Sequence, residues 1–278
     1  MKYKVFPFLI TNSEEMSVIQ NSQNTVIIKN LQMIDFFNWI DSNGVYEVSM
    51  KQLNEIFNEQ TEKAIEFMQK NNLIGEIKQK IISYEDVTIV SNDEIFIKSM
   101  KFNSKGHNQK FIYELLPRDF YDFKINNPKN LYIFFTNPFH YKYYTELVNI
   151  VRENNILSRF GFYYEQRIFL SNYYKQEWYN PCPLCFFGNM ESSLRGNSKL
   201  LNTVSFQNLL DLIYKKEPGF EVENAFNNYS ILTFVDTLLN DLDIVDNSQI
   251  NNVKYIDFNK NIVLSDQAIH WELCDCYE

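Results

Sequence analysis

Four cysteines carry the most chemistry in this chain, and they fall in two tight pairs. Cys182 and Cys185 enclose Pro183 and Leu184, and Cys274 and Cys276 enclose Asp275 near the end of the sequence. There is no other cysteine. Two close pairs read first as a tetrahedral thiolate zinc site, because Zn²⁺ takes four sulfur ligands and short spacings let neighbouring residues share one ion. Such a site ties the last residues of the sequence back to Cys182. His270, four residues before Cys274, is a further candidate ligand, although a histidine so placed is more often an ordinary strand or loop residue. Two other readings stand beside zinc. A structural disulfide needs an oxidising compartment. A thioredoxin-like Cys-x-x-Cys pair usually opens a helix after a strand and has no use for Cys274 and Cys276.

The composition bounds what these thiols can serve. The chain has 278 residues, 45% of them hydrophobic, with 18 Tyr and 24 Phe, so it has ample material for a folded core of one large or two smaller domains. A net charge of −9 argues against non-specific nucleic-acid binding, which needs a basic footprint. The first residues do not form a secretory signal, because Pro7 interrupts the apolar run from Val5 to Ile10 and Glu14 and Glu15 follow. No stretch approaches 18 continuous apolar residues. The expected location is the cytoplasm, where thiols stay reduced.

Two units are expected to position the candidate residues, one over residues 1–82 and one over 83–278. In the first, Tyr3–Ile10, Met16–Gln20 and Thr25–Lys29 are β-prone, with turn chemistry at Asn21-Ser22-Gln23-Asn24. Leu31, Ile34, Phe37 and Ile40 follow helical spacing up to Asn43-Gly44, and Ser49 caps a segment carrying Leu53, Ile56 and Phe57. Thr61 opens a third helix with Ala64, Ile65 and Met68, extended in this reading through Leu73-Ile74 to Gly75. Three strands followed by three helices make a winged-helix arrangement. Its third helix carries Glu62, Lys63, Glu66 and Lys70, whose charges cancel, whereas a recognition helix among phosphates should be basic. Protein or peptide binding is the better match, and the exposed third strand is a natural dock for an added peptide strand.

In the second unit the pattern alternates, which signals an α/β fold. Val87–Val90 and Glu94–Ile97 are β-prone, and Lys110–Leu116 is ambiguous. Leu131–Phe135 is a continuous apolar run of the kind found in a buried parallel strand. After a turn at Asn137-Pro138, Tyr141–Asn154 is helical, with Tyr144, Leu147, Val148 and Val151 on one face. Phe160–Tyr164 and Arg167–Leu170 are strand-like, Phe206–Tyr214 and Tyr229–Leu242 are helical, and Val253–Phe258 with Ile262–Leu264 forms a hairpin around Asn259-Lys260-Asn261.

Several enzyme signatures are missing. The 7 glycines never approach a Gly-x-Gly-x-x-Gly or P-loop spacing, so nothing lets the backbone come close to a phosphate. There is no Gly-x-Ser-x-Gly elbow. His107, His140 and His270 mark no catalytic set, and Arg152, Arg159, Arg167 and Arg195 could hold anions but more often make structural pairs.

The run from Ile168-Phe169-Leu170 through Asn180-Pro181-Cys182-Pro183-Leu184-Cys185-Phe186 resembles the strand, proline turn and zinc knuckle of ThiF-like (ubiquitin-activating-enzyme-like) proteins. In that family a second cysteine pair completes the site, as Cys274 and Cys276 would here. The preceding unit resembles a PqqD-like leader-peptide recognition element. Together they resemble the ocin-ThiF-like or McbB-like partners of azole-forming peptide synthetases, which make thiazole-containing microcins and thiopeptides. The chain departs from the activating enzymes in lacking their Gly-rich nucleotide loop.

The resemblance implies a winged-helix-like leader-recognition domain followed by a degenerate ThiF-like α/β domain with a structural four-cysteine zinc site and no ATP. It implies a non-catalytic scaffold that recruits a ribosomal precursor peptide to a YcaO-type cyclodehydratase and a flavin-dependent azoline dehydrogenase. The leader would add as a strand beside Thr25, Val26, Ile27, Ile28 and Lys29, with Val26, Ile28, Ile65, Met68 and Gln69 as pocket candidates; for each apolar one, core packing is an equal alternative. A homodimer is also implied, with Phe134, Phe135, Phe139, Tyr141, Tyr143 and Tyr144 as interface candidates; for most of them core packing is the alternative. The alternatives are an ATP-dependent ThiF-like adenylating enzyme, counted against by the missing glycine loop, and a zinc-containing winged-helix regulator, counted against by the acidic charge.

Overall fold

The computed structural model describes residues 1–13, 15–21, 24–77, 82–117, 123–164, 167–196, 213, 215–217, 220, 228–243, 247–258, 260 and 262–277. Of the expected helix Phe206–Tyr214 only Ile213 is among them, and of the Asn259-Lys260-Asn261 turn only Lys260; Ser22 and Gln23 lie outside the described residues. The chain divides into two compact units, one of Met1–Gln79 with Glu177–Tyr179 and Asp275–Glu278, the other of Lys80–Gln176 and Asn180–Cys274.

The first unit has more strands than its apolar pattern announces. Strands β1 (Lys2–Val5) and β2 (Leu9–Asn12) flank Pro7, and β3 (Ser17–Gln20) and β4 (Thr25–Ile28) follow. Helix α1 (Leu31–Asn43) leads to β5 (Glu47–Ser49), then come α2 (Met50–Phe57), α3 (Thr61–Lys70) and β6 (Ile74–Ile77). The caps are legible. The Asn30 side chain accepts from Met33 N, and Gly44 closes α1 in the left-handed region at φ 58°, where glycine carries no Cβ penalty. Ser49 and Gln52 form a capping box at α2.

Two sheets result, β2-β3-β4 and β5-β1-β6, with every pairing antiparallel. The expectation of three strands followed by three helices is therefore corrected to six strands and three helices among the described residues. Leu73-Ile74 does not extend the third helix: α3 stops at Lys70, Asn72 turns the chain at φ 51°, and Ile74–Ile77 pairs with β1. Asparagine tolerates that backbone conformation, and two successive asparagines make a turn that apolar spacing alone does not reveal. One core joins Tyr3, Val5, Ile19, Val26, Ile28, Phe36, Phe37, Leu53, Met68 and Ile74.

The second unit is a mixed α/β layer structure on a seven-stranded sheet of order β13-β12-β11-β10-β9-β7-β8. Strands β7 (Val87–Ser91), β8 (Phe111–Leu115), β9 (Leu131–Thr136) and β10 (Ser158–Tyr164) are parallel. Strands β11 (Arg167–Leu170), β12 (Asn252–Asp257) and β13 (Ile262–Gln267) continue the sheet antiparallel. Helix α5 (Tyr141–Glu153) buries Tyr144, Leu147, Val148 and Val151, the face its spacing predicts. Helices α6 (Pro183–Gly196) and α7 (Asn228–Asp243) complete the unit among the described residues.

One further expectation is overturned. Glu94–Ile97 is the start of helix α4 (Glu94–Asn103), not a strand. Asp93 decides this: its carboxylate accepts from Ile95 N at 2.8 Å and Phe96 N at 2.9 Å, and the helix then buries Phe96, Ile97 and Met100. A short apolar run cannot separate strand from helix by itself, and the cap supplies the missing information.

Candidate metal centre and strand-docking edge

The metal-ligating candidates are gathered by two loops and one helix. Beyond β11 the chain is held by buried amides: Asn172 Nδ2 donates to Pro181 O at 2.9 Å and Asn180 Nδ2 to Tyr173 O at 2.7 Å. Pro183 then opens α6, a position where its missing N–H costs nothing. Cys182 sits just ahead of the helix and Cys185 in its first turn. Cys185 N donates to Cys182 Sγ at 3.4 Å, so the positive end of the helix faces sulfur and favours thiolate. Tyr144 OH, from α5, donates to Pro183 O at 3.0 Å. Burial, followed by the neighbouring Cys182, Tyr141 and Cys185, pushes that phenol well above its ordinary range, so it stays a neutral donor.

The second pair arrives on the segment after β13. Ala268 N donates to Asn251 O at 2.7 Å, and Asn189 Nδ2 of α6 donates to Ile269 O at 2.9 Å. The Trp271 ring lies against Gly188 of α6, where a Cβ would come within 2.3 Å of it. Cys274 N then donates to Trp271 O at 3.0 Å.

All four cysteines are buried, and their Sγ atoms lie within 4.8 Å of one another. Cys182 Sγ is 3.8 Å from Cys185 Sγ and 3.6 Å from Cys274 Sγ. A tetrahedron with metal–sulfur bonds of about 2.3 Å has edges of about 3.8 Å. The donor set and its spacing therefore fit a single tetrahedral ion. His270 Nδ1 stands 4.0 Å from Cys185 Sγ, beside the four-sulfur set rather than in it. The Cys-x-x-Cys pair does open a helix, the feature expected of a redox pair, but the second pair sits on top of it.

The family model described as Microcin B17-processing protein McbB matches residues 3–278. The chain belongs to the McbB family. Among solved structures it is similar to a chain of the E. coli Microcin synthetase McbBCD complex, with TM-score 0.65, 15% identity, and coverage of 99% of this chain and 100% of that one. A chain of the same complex with pro-MccB17 bound gives TM-score 0.54, 16% identity and coverage of 99% of both. At these identities the likeness speaks for the fold. No curated protein sequence matches the chain.

In this McbB-family chain the peptide-docking candidates split by face. Strand β4 is the outer strand of the β2-β3-β4 sheet, so one side of its backbone has no strand partner among the described residues. Thr25, Ile27 and Lys29 are exposed, as is Gln69 on α3. Val26, Ile28, Ile65 and Met68 point inward and pack in the core of the first unit. What Val26 and Ile28 offer at the surface is therefore backbone.

Other candidates have structural occupations. Phe134, Phe135, Phe139 and Tyr144 are each at most 1% exposed, so of the two readings for these aromatics, core packing holds for these four. Arg159 is buried, donating to Asp241 Oδ2 and Ser171 O at 2.7 Å each, while Asp241 also meets Lys254. Arg167 pairs with Asp257 at 3.2 Å. His140 caps α5 through Nδ1, and His107 faces the Phe111 ring. The side chain of Arg195 lies outside the described residues. No helix among the described residues is long and apolar enough to cross a membrane.

Sequence reading misses Gly188, Trp271 and Asp93. A glycine inside a predicted helix is the one signal that could have pointed to Gly188, since such a glycine usually has a packing reason.

Proposed function

We propose that this chain is the peptide-presenting, non-catalytic subunit of an azole-forming synthetase. It holds the leader of a ribosomal precursor so that a YcaO-type cyclodehydratase can act on the cysteines of the core and a flavin-dependent dehydrogenase can oxidise the products. The observation that carries this reading is the open edge of β4 in a chain of the McbB family. An extended peptide added there would take its affinity from main-chain hydrogen bonds and its register from the alternation of inward and outward side chains. Tethering the leader raises the local concentration of the core at the partner enzyme. The first unit is then a winged-helix-like recognition domain over residues 1–82, and residues 83–278 form a ThiF-like domain. Cys182, Cys185, Cys274 and Cys276 hold one structural zinc ion, which pins the segment carrying Cys274 and Cys276 to α6.

The test uses the full-length chain and a fluorescently labelled leader half of the precursor, read by anisotropy. The leader half should bind and the core half should not. N-methylation of alternate leader residues removes the incoming strand's donors without altering the protein. Methylation in one phase should abolish binding, and in the other phase should leave it largely intact. Equal losses in both phases would rule out strand addition. Binding of duplex DNA in place of the leader would replace the scaffold reading with that of a regulator.

A further inference from the structure

Tyr179 stands in backbone that an aromatic residue rarely adopts. Its φ is 49°, and the other described non-glycine residues with positive φ are Asn58, Asn72 and Asn155. Asparagine tolerates this region because its short side chain bonds locally. A bulky residue persists there only where its surroundings over-determine it. Those surroundings lie in the first unit, which takes Glu177–Tyr179 from the sequence although Gln176 and Asn180 on either side belong to the second.

Gly75, inside β6, is the seat for the Tyr179 ring. In register it opposes Lys4 of β1, on the sheet face turned away from the core that holds Tyr3, Val5 and Ile74. A Cβ on Gly75 would come within 2.6 Å of Tyr179 Oη and 2.8 Å of Phe6 Cζ. A glycine inside a strand often marks such a close approach. The Phe6 and Tyr179 rings meet edge-on at 5.6 Å, and Lys4 Nζ lies 5.5 Å from the Tyr179 centroid, within cation–π range. A three-stranded sheet of such short strands depends on packing for its stability. The core covers one face of β5-β1-β6, and Tyr179 covers part of the other.

The strand so held begins where the β3–β4 hairpin is tied. Phe6 N donates to Leu73 O at 3.1 Å, just ahead of β6. Asn71 and Asn72 precede Leu73, and their carbonyls both accept from Asn21 Nδ2, at 3.1 Å and 2.8 Å. Asn21 in turn holds Asn24 both ways: its N donates to Asn24 O at 2.9 Å, and its Oδ1 accepts from Asn24 N at 2.6 Å. Thr25, the first residue of β4, follows directly. An unbroken run of contacts therefore leads from the Tyr179 ring through Gly75, Asn72 and Asn21 to the start of β4. We infer that Tyr179 is a positioning residue for the peptide-docking edge: seated on Gly75, it fixes the start of β6 and, with it, the hairpin that opens β4. This rests on the reading of β4 as the leader dock. It follows that residues 1–82 by themselves lack one part of the recognition unit.

The experiment uses the full-length chain with two readouts, site-resolved hydrogen exchange and anisotropy of the labelled leader half. Tyr179→Ala should speed exchange in β6 and in the β3–β4 hairpin and leave β9 and β10 protected as in the wild type. Leader affinity should fall roughly fivefold, the loss expected when the docking-competent hairpin is populated about one-fifth of the time. Tyr179→Gly relaxes the left-handed backbone but removes the ring, so it should behave like the alanine variant. Tyr179→Phe keeps the ring and should stay close to the wild type in both readouts. Gly75→Ala unseats the ring from the other side, so it should add little in the Tyr179→Ala background. Four results would each overturn the proposal: hairpin exchange unchanged in Tyr179→Ala, exchange raised equally in β9 and β10, leader affinity unchanged while the hairpin opens, or a loss in Tyr179→Phe that matches alanine. A wild type that binds no leader would instead remove the docking reading, and the exchange data would still decide whether Tyr179 holds the hairpin.

Discussion

Replacing Gly188 with alanine tests whether α6 and the cysteine-bearing tail are one mechanical piece. A Cβ at this position would lie 2.3 Å from Trp271 Cδ2, 2.4 Å from Cε3 and 2.8 Å from Cε2. Carbon atoms in contact settle at about 3.5–4.0 Å, so the ring must retreat by more than about 1 Å. Two effects oppose each other. Alanine in a helix interior is worth about 0.5–1 kcal/mol over glycine. Forcing a methyl into a packed site costs about 1–3 kcal/mol. The clash is with the body of a large ring, not with the flexible end of a chain, so the second effect should win and leave the variant about 0–2.5 kcal/mol less stable. Because Cys274 N donates to Trp271 O, a displaced Trp271 carries Cys274 with it. The assay pairs thermal unfolding with zinc release to a chromogenic chelator. Gly188→Ala should lower Tm and speed release, although no ligand has changed. Adding Trp271→Ala removes the obstruction, so in that background Gly188→Ala should become neutral or stabilising. A Gly188→Ala protein with raised Tm and unchanged release would refute the reasoning.

Three other outcomes are expected. Protein purified without chelator should carry one zinc ion per chain by elemental analysis, and Cys182→Ser or Cys276→Ser should lose it with a fall in Tm. Asp93→Ala should cost about 0.5–2 kcal/mol, the usual worth of an N-cap, as measured by denaturant unfolding; neither it nor the wild type should support pyrophosphate exchange from ATP. Stability should fall as pH rises past the ordinary phenol value of 10.0, because Tyr144 is raised above it by burial and the unfolded state gives up that proton first. The slope attributable to Tyr144 should approach about 1.4 kcal/mol per pH unit and vanish in Tyr144→Phe, as read from urea midpoints between about pH 9 and 11.

Where one residue type or one period decides the outcome, the sequence is a sufficient guide. Ser49 and Gln52 announce a helix start, Gly44 a helix end, and the Tyr144-Leu147-Val148-Val151 stripe a buried helix face. The four cysteines announce one site, and the structure brings their Sγ atoms within 4.8 Å of one another. Reading fails where long-range pairing decides. Glu47–Ser49 becomes a strand only because β1 lies beside it, and Ile74–Ile77 joins the same sheet although its residues continue the helical spacing of α3. It fails also for burial within a run. Tyr141 and Tyr144 share a helix, yet one is 43% exposed and the other 0%. Side-chain direction separates core from pocket at β4 for the same reason: period-2 alternation is visible in sequence, but which phase faces inward is set by the sheet and helices that cover it.

The parallel order β8-β7-β9-β10 has its reversal between β7 and β9, and in open α/β sheets ligands enter at the carboxyl ends of the strands at such a point. Here that place is laced shut by its own side chains. Asp93 N donates to Ser91 Oγ at 3.0 Å, and the Asp93 carboxylate accepts from Ile95 N, Phe96 N and Asn137 Nδ2. Asn137 N donates to Asn92 Oδ1 at 2.8 Å, and Asn92 Nδ2 to Pro138 O at 3.1 Å. In sheets of this kind the free N–H groups of the first helix attract phosphate. In this chain they already hold a carboxylate, and a second anion would meet a like charge before it met a donor. Glycines would allow close backbone approach, and asparagines and an aspartate stand in their place. The sheet is then free to act as a frame. Its middle strands bury the aromatic core, the β11 end sets Cys182 and Cys185 at the head of α6, and the hairpin of β12 and β13 returns the chain to deliver Cys274 and Cys276. What the frame displays is a cluster of four buried thiols at the head of α6 and, in the first unit, the open edge of β4.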